Sequence, residues 1–101
     1  GLYVVAIAPE VEPVEQGPLH NWIATVTLPG GEAVTDAQIA IEGGMPQHGH
    51  GLPTAPQSAG HLGEGRYRIE GVRFNMGGWW VLKLGVSSPA GDDAVEFNIV
   101  L

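Results

Sequence analysis

An all-β fold, an antiparallel β-sandwich of six or seven strands, follows from three features of this 101-residue sequence. Apolar residues recur at every second position in several short stretches, which is the period of a half-buried strand. Sixteen glycines and eight prolines, nearly a quarter of the chain, break those stretches at turns. No stretch carries a helical period, and no internal repeat is present.

The elements follow in order. Leu2 to Ala8 is a β-branched apolar run and the first expected strand. Pro9 to Pro18, carrying Glu10, Glu12 and Glu15, reads as a solvated acidic loop. From His20 the alternation is regular: His20, Trp22, Ala24, Val26 and Leu28 share one face, Asn21, Ile23, Thr25 and Thr27 the other. Pro29-Gly30-Gly31 turns the chain. Ala37, Ile39 and Ile41 mark a strand that runs into a glycine- and proline-rich segment, 43–65, expected to be one long functional loop within a single domain spanning 1–101. Arg66 to Phe74 restarts the strand pattern. There Tyr67 and Ile69 share a face, and beyond Gly71 the parity moves to Val72 and Phe74, as a bulge at Gly71 would produce. Trp79 to Val86 places Trp80, Leu82, Leu84 and Val86 inward. After a turn at Ser88–Asp92, Val95, Phe97, Ile99 and Leu101 complete a hairpin with it.

Charge and composition narrow the function. Eleven acids against four bases give a net charge of −7 with no basic patch, which excludes a nucleic-acid surface. No run approaches the ~18 apolar residues of a membrane span. The chain opens directly on Gly-Leu-Tyr-Val-Val, as a processed or trimmed chain would, which is compatible with an export signal or N-terminal anchor upstream. There is no cysteine, so neither disulfides nor thiolate metal sites exist. That suits an oxidising space, where methionine and histidine ligands persist.

The chemistry concentrates in Met45-Pro46-Gln47-His48-Gly49-His50-Gly51 and in Asn75-Met76-Gly77-Gly78. These hold both methionines of the chain, each expected in a glycine-rich turn. Thioether sulfur and imidazole together suit copper, and four neutral donors suit Cu(I). Met45, His48, His50 and Met76 are therefore the candidate metal ligands. His48 and His50, two residues apart, would point the same way in extended backbone. Met76 must arrive from another loop, which a sandwich permits because its loops gather at two ends. Cu(II) would instead favour His48 and His50 with a carboxylate or water. The plainer reading is that the methionines fill gaps at the end of the sandwich and the histidines are solvated.

Other residues are weaker candidates. His61 could swing toward the site from the same segment, although an exposed loop histidine is the simpler reading. His20 could add a ligand, although a partly buried histidine bonded to backbone is simpler. Of the adjacent Trp79 and Trp80, Trp80 has the inward parity, leaving Trp79 to lie over the metal loop or to face a partner. Asp92-Asp93 and the Glu10–Glu15 segment lack the spacing of a calcium loop. No nucleophile elbow, phosphate-binding glycine loop or His-Glu-x-x-His is present, so no enzymatic activity is expected.

The loop Met45-Pro46-x-His48-Gly-His50-Gly-x-Pro53-Thr54, followed by Gly65-Arg66-Tyr67-x-Ile69-Glu70-Gly71-Val72-x-Phe74-x-Met76-x-Gly78-x-Trp80, resembles the YtkA-like and FixH-like domains over about His20 to Val86. That resemblance implies an Ig-like sandwich on the outer side of a bacterial inner membrane. It also implies a link, in parts of the family, to copper handling or the assembly of copper-containing oxidases. FixH-like members carry a membrane helix that this sequence lacks, which favours a soluble or anchor-trimmed member. The expected function is an exported, periplasmic protein that buffers or delivers one copper ion, with a copper-receiving protein or oxidase assembly factor as partner. The alternative is a metal-free interaction module of a membrane-bound respiratory or transport assembly.

Overall fold

Alternation of apolar and polar residues generates the strands where the pattern places them, and the computed structural model describes all of residues 1–101. The strands are β1 (Val4–Pro9), β2 (His20–Thr27), β3 (Gln38–Met45), β4 (His50–Gly51), β5 (Gln57–Gly63), β6 (Arg66–Val72), β7 (Trp79–Ser88) and β8 (Gly91–Val100). All pairings are antiparallel, in the order β1-β2-β6-β5-β3-β7-β8, with β4 attached to β3. The β5–β3 junction is a single registered pair, Ala40 with Gln57. The sheet folds over there into two layers, β1-β2-β6-β5 and β3-β7-β8. Its free edges approach on the other side, where the Leu2 N–H donates to the Asp93 carboxylate (2.7 Å) and the Tyr3 hydroxyl donates to the Gly91 carbonyl. The result is an all-β sandwich, nearly closed like a barrel.

The inward parities are those of the sequence pattern. Trp22, Ala24, Val26, Tyr67, Ile69, Trp80, Leu82, Leu84 and Val86 are buried, and β8 alternates along its whole length. The β7–β8 hairpin is longer than expected, because its turn contracts to Pro89-Ala90 and Ser88 pairs with Gly91. The parity change in β6 has the expected cause. Trp22 pairs with Ile69 but His20 pairs with Val72, so β6 holds one extra residue, and Gly71 takes it up at φ +83°. That bulge turns both Val72 and Phe74 into the core.

Segment 43–65 departs from the expectation of one long loop. It contains the end of β3, a tight hairpin to β4, and all of β5. The composition hid β5 because Gln57-Ser58-Ala59-Gly60 has little β propensity. Its pairing with β6 is irregular, shifting register twice between Ser58 and Gly63. The strand exists because β6 and β3 offer it backbone partners, which the sequence of the segment does not advertise.

Antiparallel register sorts the connections onto two ends. The acidic segment 10–19, the hairpin turn 46–49, the connection 52–56 and the loop 73–78 share one end; 28–37, 64–65 and 89–90 share the other. The acidic segment is strapped across the first end by Gly17 N–H to the Phe74 carbonyl (2.8 Å) and Arg73 Nε to the Gly17 carbonyl (2.8 Å).

Candidate metal centre

The hairpin that carries the imidazoles is built by its glycines. Met45 ends β3, its carbonyl accepting from the His48 and Gly49 N–H groups (both 3.0 Å), and Gly49 takes φ +66° to return the chain. His50 then stands directly opposite Met45, and Gly51 opposite Gly44. A Cβ at Gly44 would clash with the His50 carbonyl oxygen, so only glycine lets β4 lie this close.

Directly opposed residues of an antiparallel pair project on one face, with Cβ atoms about 4.5–5.5 Å apart. Met45 and His50 are such a pair, so thioether and imidazole leave the hairpin on the same side. The expectation that Met45 lies in a turn is corrected. It is the last residue of β3, on the parity of Ile39 and Ile41, and only 2% exposed within the main core cluster. That placement is what the plainer, gap-filling reading of this methionine expects.

His48 lies in the turn itself and not in extended backbone, so the expected reason for its direction does not hold. Its ring nevertheless stacks beside that of His50, with centres 5.9 Å apart and planes at 29°. Two imidazoles bonded to one ion at ~2 Å have ring centres no more than roughly 6 Å apart, and this pair is within that reach. His50 Nδ1 lies 3.0 Å from the Gly51 carbonyl, which fixes the hydrogen on Nδ1 and leaves the Nε2 lone pair free. Metal-ligating histidines are oriented by a bond of that kind.

Met76 reaches the same end from loop 73–78. It is 37% exposed, and its carbonyl accepts the Trp80 Nε1–H at 3.1 Å. The Met45 methyl extends to the same loop: a Cβ placed on Gly78 would stand 3.0 Å from Met45 Cε. The Trp80 ring meets the His50 ring edge-on, centres 5.8 Å apart. Met45, His48, His50 and Met76 thus lie at one end of the sandwich, with the buried Trp80 touching the His50 ring and the Met76 carbonyl. No three imidazole, thiolate or carboxylate side chains cluster anywhere in the molecule. Beside the hairpin a depression of about 370 Å3 opens, lined by Met45, Gly49 and His50 together with Glu42 and Glu96.

The weaker candidates separate by location. His61 lies toward the opposite end, where Nε2 accepts the Gly65 N–H (2.9 Å) and the ring packs on Tyr67, so it cannot swing to the site. His20 is half-buried at the near end, with Nδ1 3.2 Å from the Pro18 carbonyl and a buried Nε2 without a partner. Its ring touches Phe74, which in turn packs on Trp80, so two aromatic rings stand between it and His50. Trp79 does not cover the metal loop; it lies on the outer face and donates Nε1–H to Asn98 (2.8 Å). Trp80 is inward, as its parity requires, and its ring is the one that meets His50.

A two-layer antiparallel domain whose donor-bearing loops share one end is the class defined by this fold. The family model described as YtkA-like matches residues 3–85, and the chain belongs to the YtkA-like family. The match extends the sequence resemblance back through β1. No curated protein and no solved structure matches the chain.

Proposed function

We propose that this domain is an exported, periplasmic copper-binding protein that buffers or delivers one copper ion as Cu(I). Met45, His48, His50 and Met76 supply the donors. The observation that carries the reading is the cross-strand pairing of Met45 with His50, at the same end as the only other methionine. Cu(I) accepts neutral sulfur and imidazole without an anionic ligand. The absence of cysteine supports an extracytoplasmic setting. The cargo would pass to a copper-receiving protein or an oxidase assembly factor, and no catalytic step is assigned.

The test is Cu(I) titration against a competing chelator under reducing conditions, comparing wild type with His48→Ala, His50→Ala and Met76→Ala. Each variant is expected to bind more weakly. Equal affinities throughout would remove these residues from the site and favour the metal-free interaction module. That reading draws on the outer face of the β7–β8 hairpin, where Trp79 lies opposite the strongly exposed Val100.

A further inference from the structure

Two separate pieces of chain bring donors to the near end, and one side chain touches both. The Trp80 indole is fully buried, meets His50 edge-on with ring centres 5.8 Å apart, and donates Nε1–H to the Met76 carbonyl at 3.1 Å. Its other side packs on Phe74, with centres 5.1 Å apart, which roots it in the core. The two halves differ in chemistry. The imidazole half, His48 and His50, holds its own geometry through ring stacking and the His50–Gly51 bond. The Met76 half is an exposed loop around Gly77 and Gly78, held near Trp80 by this hydrogen bond and by the Gly78–Leu101 backbone pair (3.1 and 2.9 Å).

We propose that Trp80 is the positioning residue that makes this site selective for Cu(I), by clamping the Met76 loop against the His48–His50 pair. The inference rests on the copper reading above. Cu(II) is served by imidazole with oxygen donors, whereas Cu(I) gains from the thioether. Releasing the Met76 loop therefore weakens Cu(I) binding while leaving the imidazole pair able to bind Cu(II). Groups that orient ligands are worth ~10–100-fold in metal affinity, and the Trp80 bond acts one step from Met76.

The experiment replaces Trp80 site-specifically with 3-benzothienylalanine, which keeps the indole shape and removes only the N–H donor. Trp80→Phe is a second variant, and Trp79→Phe, whose indole bonds Asn98, is the control. Cu(I) and Cu(II) affinities are measured by chelator competition, together with the reduction potential of the bound ion. The expected result is a loss of Cu(I) affinity of about tenfold or more at unchanged Cu(II) affinity. A tenfold loss of Cu(I) affinity alone lowers the potential by ~59 mV. A parallel fall in both affinities, or no change in either, overturns the selectivity role. Amide exchange at Met76, Gly77 and Gly78 in metal-free protein decides the clamp separately: faster exchange in the benzothienyl variant supports it, unchanged exchange overturns it. If wild-type protein takes up no Cu(I), the copper reading falls and takes the selectivity role with it, while the exchange measurement still decides the clamp.

Discussion

Met45 is core packing by position and a copper ligand in the proposed function. It ends a strand on the inward parity and fills core space beside Gly78, and its sulfur stands on the face shared with His50. The roles separate experimentally, because leucine matches methionine in volume but offers no sulfur. Met45→Leu is expected to cost less than ~1.5 kcal/mol of stability in thermal or denaturant unfolding while clearly weakening Cu(I) binding. A variant that kept full Cu(I) affinity would leave Met45 as packing alone. Asp93 is a second residue with a defined consequence. The Leu2 N–H and then the Ala94 N–H hold its carboxyl below the ordinary value of 3.8. The folded state therefore binds that proton less readily than the unfolded chain does. Its stabilisation is present above the ordinary carboxylate range and is lost as pH falls through the lowered value. Asp93→Asn should flatten the acid side of the stability profile below about pH 4 and leave its shape near neutrality unchanged, as read by unfolding at a series of pH values.

At the scale of elements, the β3–β4 hairpin has little sheet of its own. Only two residue pairs join it, and the connection 52–56 must hold its far side. That connection is pinned by the Thr54 hydroxyl, which donates to the carbonyl of the bulge residue Gly71, and by the Leu52 N–H, which donates to the Gly43 carbonyl (3.1 Å). The β6 bulge thus does more than change parity; it presents a carbonyl that anchors the 52–56 connection. Thr54→Val keeps the side-chain shape and deletes the donor. A loss of about 0.5–1.5 kcal/mol is expected, with faster amide exchange at Leu52. Unaltered exchange there would mean that the hairpin holds without the Thr54 anchor.

For the molecule as a whole, the decisive joint is the crossing between layers. The chain leaves β2 at Thr27 and enters β3 at Gln38, passing from one layer to the other. Buried Tyr67 ties that crossing to β6: its hydroxyl donates to the Val34 carbonyl (2.6 Å) and accepts the Ala37 N–H (3.0 Å). Tyr67→Phe leaves two backbone groups without this partner and is expected to cost about 1–3 kcal/mol in denaturant unfolding. No change in the midpoint would show that water replaces the hydroxyl at both.

Strand identity, inward parity and the Gly71 bulge were readable from residue order, because side-chain direction alternates locally and a buried face demands apolar residues. The donor types were equally plain, since sulfur and imidazole are properties of single residues. What residue order could not convey was proximity. β5 forms from weakly β-prone residues because neighbouring strands supply backbone partners, so the expected loop at 43–65 shrank to a hairpin and a short connection. Met45 moved from turn to core, and His61 proved to lie toward the opposite end. Each depends on which strands pair and in which register, a long-range choice set by the packing of both layers together. The placement of Met76 is of the same kind: Asn75 through Gly78 names the donor, but only closure of the two layers puts its loop on Trp80, at the same end as His50.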